Sequence, residues 1–396
     1  MKTQNLNRTI LLAVVRLVAL ALLIALPGTT TLAPTAHAAD PTPTAAGQPN
    51  PVDVLPTITP VAIPPGGQLK VMATTATVAY VVGQVGGDAI SLTALMERGQ
   101  DSHAYQPRPR DVAAMVEADL LFINGAGLEE FMHKIMANVE GETVIVPVSA
   151  GVALLPGHLH EGEHEHEGEA KHEHEGEAKH EHEGEAKHEH EGEAKHEHEG
   201  EAKHEHEGEA KHEHEGEAMH EHEWDPHTWT SPANVLVWVD NIERALSAAD
   251  PANAAVYRAN AAAYRQKLTA LDEWAQAQVA QVPPEKRKIV TNHEAWNYFA
   301  AHYGFEQIGA VIPAVSTTVE LSVKEFAALA DALKQAGVQV IFVDYEVDPR
   351  LSQNMAETIG ARVVRIWHEL SPVGQGADTY EDWLRFNITQ FVENLK

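Results

Sequence analysis

The chain has 396 residues, no cysteine and a formal charge of −30. Its 28 Lys and Arg against 58 Asp and Glu leave no basic patch to neutralise phosphates, which excludes nucleic acid as a partner. Without a thiol there is no disulfide, no thiolate metal site and no lipidated cysteine, so the chain is expected not to be a lipoprotein, and any metal must be held by nitrogen and oxygen.

Residues 1–38 read as a secretory signal peptide. Lys2 and Arg8 precede an apolar run from Leu17 to Pro27, and the small residues ending in AHAAD offer a cleavage site after Ala38. An uncleaved anchor is the alternative, because Ile10 to Pro27 just reaches spanning length although Arg16 interrupts it. Both readings put the folded protein in the periplasm or another extracytoplasmic space. Residues 39–68, rich in Pro, Thr and Ala, read as an extended, solvated linker.

Folded sequence begins at LKVMATTATVAYVVGQVGG, which predicts a strand from Leu69 and a helix ending near Gly86 and Gly87. Asp111 is expected to N-cap the helix DVAAMVEAD, followed by the strand LLFING, the helix GLEEFMHKIMANV and the strand TVIVPVS. This alternation implies a parallel α/β lobe over residues 69–249.

That lobe is interrupted by a tract over 158–223, where the octad KHEHEGEA recurs from Lys171 to Lys211 and a degenerate copy starts at Met219. The tract holds 25 Glu and 6 Lys and so supplies −19 of the charge; the remaining −11 or so is ordinary for a soluble acidic protein. A period of eight fits no standard solenoid, and a Gly in each octad with no apolar face to bury predicts disorder.

Order is expected to resume at Trp224 with the helical periodicity of VLVWVDNIERALSAAD. Asp250 and Pro251 then form an N-cap and N1 pair for a helix without internal Gly or Pro, a stiff spine over 250–282 of roughly 45 Å. Residues 283–396 alternate again through the strands KIVTN, QIGAVIP, VQVIFVDYE and ARVVRIW, with helices between and after them. The fold class expected is therefore α/β, two lobes with parallel sheets joined by one long spine helix.

Six histidines lie outside the signal and the tract: His103, His133, His227, His293, His302 and His368. His103 sits in the loop RGQDSHAYQPRPRD, stiffened by Pro107 and Pro109, with Asp101 two residues before it. His227 sits in WDPHTWTSPAN, again two residues after an aspartate, Asp225. His293 follows the strand KIVTN, at the carboxyl end where open α/β sheets place ligands. Neutral imidazoles suit Zn2+, and carboxylates such as Asp101 and Asp225 are candidates to orient such rings by accepting their second N–H.

Four segments, GQDSHAYQPRPRD with ADLLFINGAGLEEFM after it, DPHTW, TNHEAWNYFAAHYGF and VIFVDYEVDPRL, together resemble the zinc-binding solute receptors of bacterial ABC transporters, the ZnuA-type branch of the cluster A-I metal receptors. The resemblance runs from about Leu69 to Lys396, the tract excepted. It implies metal held in the cleft between the lobes, with His103 and His227 similar to the first lobe's ligands and His293 to the first ligand of the second. Manganese receptors of the family carry a carboxylate at the third position, so His293 favours Zn2+ over a harder ion. At the fourth position many relatives have Asp where this chain has Ser371, in LSPVG. His368, Glu369 or a water is then expected to complete the set. His133 and His302 look like helix-surface residues.

The function implied is capture of Zn2+ outside the cytoplasm and delivery to an ABC permease and its ATPase subunit, by a monomer without catalysis. Alternatives are a receptor for manganese or another divalent metal, a zinc store, and a zinc hydrolase. The last has only Glu294 as an obvious base and no HExxH pattern. In the tract, His158, His160, His164, His166, His172, His174, His220, His222 and their repeats offer many weak nitrogen and oxygen sites. These are expected to scavenge or buffer zinc; a low-complexity expansion of neutral length is the other reading.

Overall fold

The first strand, β1 (Leu69–Ala73), turns Leu69, Val71 and Ala73 to one face and Met72 to the other, and all four are buried. A strand buried on both faces belongs inside a sheet covered by helices on two sides, and that requirement sets the architecture. The structure is a computed structural model and describes residues 54–129, 143–157 and 224–396. The expected signal peptide, the start of the linker, most of the helix GLEEFMHKIMANV with His133, and the histidine tract lie outside the described residues.

After β1 come α1 (Ala76–Gly86), β2 (Ile90–Ala94), α2 (Pro109–Glu117), β3 (Leu120–Ile123), β4 (Val144–Pro147) and α3 (Pro232–Ala249). The strands form one sheet in the order β2-β1-β3-β4, every pair parallel. The spine helix α4 (Ala254–Val279) leads to β5 (Lys288–His293), α5 (Asn297–Tyr303), β6 (Glu306–Ile312), α6 (Val323–Gln335), β7 (Val340–Asp344), α7 (Arg350–Ile359), β8 (Arg362–Ile366) and α8 (Tyr380–Leu395). The second sheet repeats the first, parallel throughout in the order β6-β5-β7-β8.

One hydrophobic cluster runs through both lobes and the spine. It takes the inner faces of β1, β3 and β7 through Val71, Phe122 and Phe342, and joins them to Trp238, Tyr264, Leu268, Trp296 and Trp383. The outer faces close smaller cores, Met72, Leu121 and Met115 in the first lobe and Ile341, Val343 and Met355 in the second. The spine buries Tyr257, Ala261, Tyr264, Leu268, Leu271, Ala275 and Val279, a stripe at spacings of three and four that faces the core along its whole length. Among the described residues no helix is long and apolar enough to cross a membrane.

Four sequence expectations are corrected. Helix α2 starts two residues before Asp111, because Pro109 suits its first turn; Asp111 reaches back from inside the helix, its Oδ2 accepting the Arg108 N–H at 2.9 Å. Asp250 does not open the spine. It closes α3, and its Oδ2 accepts from Asn253 Nδ2 at 2.6 Å and Tyr257 OH at 2.8 Å, so the spine begins at Ala254 and spans roughly 39 Å. The linker is not solvated throughout: Leu55, Ile58, Val61 and Ile63 pack on the main cluster, and Val61 N–H donates to Ala249 O at 2.8 Å. Strand β2 was not expected, since only Ile90 of its five residues is buried and an edge strand carries little apolar signal.

The chain on either side of the histidine tract is paired. Pro156 and Trp224 form an antiparallel bridge, and Asp225 N–H donates to Leu155 O at 2.8 Å.

Because the main cluster is continuous across the lobes, Leu268→Ala in the spine is expected to cost about 2–5 kcal/mol and to leave one cooperative transition. Denaturant unfolding followed by tryptophan fluorescence and by far-ultraviolet circular dichroism checks this; two separated transitions contradict it.

Candidate metal centre

In both sheets the order of strand addition reverses at one point, between β1 and β3 and between β5 and β7, and the carboxyl ends of the parallel strands at such a point form a natural cleft. His293 is the last residue of β5 and Asp344 the last of β7, brought side by side by the pairing of Thr291 with Phe342. His368 follows β8 by two residues. His103 comes from the loop between β2 and α2, and His227 from the loop before the 3-10 turn Thr228–Thr230.

These four imidazoles meet. His103 Nε2 lies 2.9 Å from His227 Nε2, and the ring centroids of the four are between 4.8 and 6.3 Å apart. One ligand atom from each of His103, His227 and His293 lies within 4.8 Å of the others, and the same holds for His293, Asp344 and His368. A tetrahedral zinc ion with bonds of 2.0–2.1 Å needs its donors about 3.3 Å apart, so a small contraction of this cluster encloses one. The pocket suits a cation chemically too, since His293 Nε2, His368 Nε2 and both oxygens of Asp344 are buried without hydrogen-bond partners.

Asp225 organises the first lobe's side of the site. Its Oδ1 lies 2.7 Å from His227 Nδ1 and accepts the His227 backbone N–H at 2.9 Å. Its Oδ2 accepts from Asn297 Nδ2 at 3.0 Å, and its carbonyl from Tyr298 OH at 2.8 Å, both from α5 in the other lobe. Glu129 holds the adjoining loop: it accepts from the N–H groups of Asn124 and Gly125 and from Thr74 Oγ1, while Asn124 Nδ2 donates to Pro226 O at 2.9 Å. Asp101 acts on backbone and on the opposite lobe. It accepts the His103 N–H at 3.0 Å and Thr317 Oγ1 at 2.7 Å.

The second lobe's side is braced by Glu346, which accepts the N–H of Glu369 at 2.8 Å, and by Trp229 Nε1, which donates to His368 O at 3.1 Å. Of the residues proposed to replace the missing aspartate, His368 lies in the cluster. Glu369 turns to α1, accepting Thr77 Oγ1 at 2.7 Å, and Ser371 stays in its own loop, accepting the Ala377 N–H at 3.2 Å. His302 is half-buried against the spine, 2.8 Å from Asp272 Oδ1. Sequence reasoning missed Asp344, Glu346, Glu129 and Thr317. Asp344 carried the same signal as His293, a polar residue closing a buried strand.

Burial dominates the electrostatics. It raises Asp225 to about 7, against the His227 N–H and Asn297; Glu129 to about 7, against Thr74 and its two backbone donors; and Glu369 to about 8, against Thr77. Burial also pushes Glu346 well above the carboxylate range, with Asp344 adding to it. It holds His368 well below the usual imidazole value, with His293 and His103 acting in the same direction, so this ring is neutral and ready to ligate. A dication in the cluster reverses the penalty on the acids.

Residues 71–394 match the family model for ZnuA, the zinc-uptake complex component A, periplasmic. The chain is 25% identical over 332 residues to the manganese-binding lipoprotein MntA of Halalkalibacterium halodurans, covering 83% of this chain and 89% of that one. It is 27% identical over 340 residues to the manganese ABC transporter substrate-binding lipoprotein PsaA of Streptococcus pneumoniae, covering 83% and 90%. Among solved structures, the periplasmic zinc binding protein TroA of Treponema pallidum has a TM-score of 0.62 at 22% identity, over 83% of this chain and 99% of that one. A Mn-bound periplasmic metal binding protein of Candidatus Liberibacter asiaticus has 0.61 at 23%, over 83% and 100%. These likenesses show the fold of two parallel-sheet lobes.

The relatives correct one expectation. MntA and PsaA are named lipoproteins, so the conclusion that this is no lipoprotein, drawn from the missing cysteine, does not stand. A missing thiol bears on one attachment atom and leaves other ways of holding a protein at a membrane untouched.

Burial raises the folded-state pKa values of Asp225 and Glu369 above the ordinary carboxylate range, to about 7 and about 8. Their contribution is therefore most favourable below about pH 4 and is lost as pH rises through 7 to 8. Melting of the metal-free protein in chelator between pH 5 and pH 8 is expected to show this fall in stability. Asp225→Asn flattens the slope, and an unchanged slope contradicts the assignment.

Proposed function

Because the chain belongs to the ZnuA family of periplasmic zinc-uptake components, we propose that it captures Zn2+ in the inter-lobe cleft and hands it to an ABC permease driven by an ATPase. It is a metal-binding receptor of an ABC transporter and not an enzyme, as the family's members are. The finer reading, zinc as the cargo, rests on one observation: four imidazoles surround the same point, and no carboxylate occupies the position of His293. Imidazole suits Zn2+, whereas a harder ion such as Mn2+ favours oxygen. His103, His227, His293 and His368 are the proposed ligands, with Asp225 orienting His227 and Asp101 positioning the His103 loop. The receptor works as a monomer.

A manganese receptor is the second reading. It is favoured by the partnerless oxygens of Asp344 and by the manganese-binding relatives. Because Zn2+ outcompetes Mn2+ at most nitrogen and oxygen sites whatever the cargo, Asp344→Asn separates the two: unchanged Mn2+ affinity supports zinc, and a large loss of Mn2+ affinity supports manganese. His103→Ala, His227→Ala and His293→Ala are each expected to weaken Zn2+ binding by on the order of a hundredfold or more. Unchanged tight binding in all three rules out the site.

The histidine tract is proposed, from sequence alone, to gather zinc near the cleft without taking part in tight binding. Removal of residues 158–221 is expected to leave one tight equivalent of Zn2+ by calorimetry and to abolish the weak ones; loss of the tight equivalent contradicts this.

A further inference from the structure

The ligand set just described draws on both lobes, but a second set does not. His293, Asp344 and His368 stand at or just beyond the carboxyl ends of β5, β7 and β8, all in the second lobe. One ligand atom of each lies within 4.8 Å of the other two. The three residues are 0%, 1% and 2% exposed. His293 Nε2, His368 Nε2 and both carboxylate oxygens of Asp344 lack hydrogen-bond partners, although Asp344 Oδ2 comes within 3.1 Å of His293 Nδ1. Buried polar atoms are nearly always satisfied, and a convergence of partnerless ones marks a place where a ligand completes them.

Most of the supporting groups belong to the same lobe, although Trp229 Nε1 of the first lobe also donates to His368 O at 3.1 Å. Glu346 accepts the N–H groups of His368 and Glu369, and Asn292 Oδ1 accepts the N–H of Asp344, so the three side chains are held without His103 or His227. Two imidazoles and a carboxylate with open positions for water form a donor set that accepts Zn2+ and harder divalent ions alike.

We propose that the second lobe carries its own divalent-cation position, formed by His293, His368 and Asp344, which shares His293 and His368 with the inter-lobe site, takes Asp344 in place of His103 and His227, and is occupied in alternation with it. The proposal rests on the reading of the cleft as the site of the metal cargo. It gives the ion a place to stay on one lobe before His103 and His227 arrive or after they draw away.

Co2+, whose visible absorption reports nitrogen and oxygen ligation, is the probe, and the full chain is used so that any binding by the histidine tract is common to every variant. His103→Ala/His227→Ala is expected to keep one more equivalent of Co2+ than the same variant carrying Asp344→Asn, at an affinity on the order of a hundredfold or more below that of the unaltered chain. Asp344→Glu in that background, which restores a carboxylate, is expected to recover the equivalent that Asp344→Asn removes. Equal Co2+ stoichiometry with Asp, Asn or Glu at position 344 overturns the proposal. The inter-lobe site is tested separately by the single His103→Ala change, so either can fail alone.

Discussion

The carboxylate of Asp225 is the constraint on which the site depends. It is fully buried, yet it is shared among the ring and the amide of His227 and the amide of Asn297, while its own carbonyl takes the Tyr298 hydroxyl. One residue therefore fixes a proposed first-lobe ligand, His227, and fastens its loop to the second lobe. Removing it leaves His227 unoriented and strips α5 of a partner in the same step. Trp229 and Tyr380 reinforce the tie, since Trp229 donates to His368 O and Tyr380 OH donates to Trp229 O. The lobes are thus joined through the immediate surroundings of the ligands as well as through the spine.

Around the four histidines stand Asp225, Glu129, Glu346 and Glu369, all pushed toward the protonated state by burial. The arrangement stores an unfavourable environment for negative charge that a dication relieves, coupling affinity to proton release. Softness of the ligand set and strength of the surrounding field pull in different directions. Imidazoles favour zinc, while Asp344 keeps a hard oxygen within reach. Selectivity then depends on which ligands the lobes present together, as well as on which residues are present.

Much of the fold was legible because its central strands β1, β3, β5 and β7 are buried on both faces and its helices carry caps and breakers at their ends. The boundaries that went astray did so for local reasons. Asp250 and Asp111 have N-cap chemistry, but each is claimed by a partner that sequence spacing does not reveal, Tyr257 for one and the Arg108 amide for the other. The site was legible where Asp-x-His stood beside proline or where a polar residue closed a strand. Glu129, Glu346 and Thr317 were not legible, since their roles depend in part on Thr74, Glu369 and Asp101, which lie 55, 23 and 216 residues away. The linker was misread for the same reason: its composition suits solvated chain, whereas Leu55, Ile58, Val61 and Ile63 find a surface supplied by the fold.

The bridge between Pro156 and Trp224 bears on how this protein varies. It joins the two ends of an insertion of about 65 residues, one residue before Asp225, so the fold sees the same boundary whatever lies between. For a flexible loop of that length, adding one octad would change the closure cost by about 0.1 kcal/mol. A change in the number of octads would then alter stability very little, and the number of imidazoles carried beside the cleft is the property it would change.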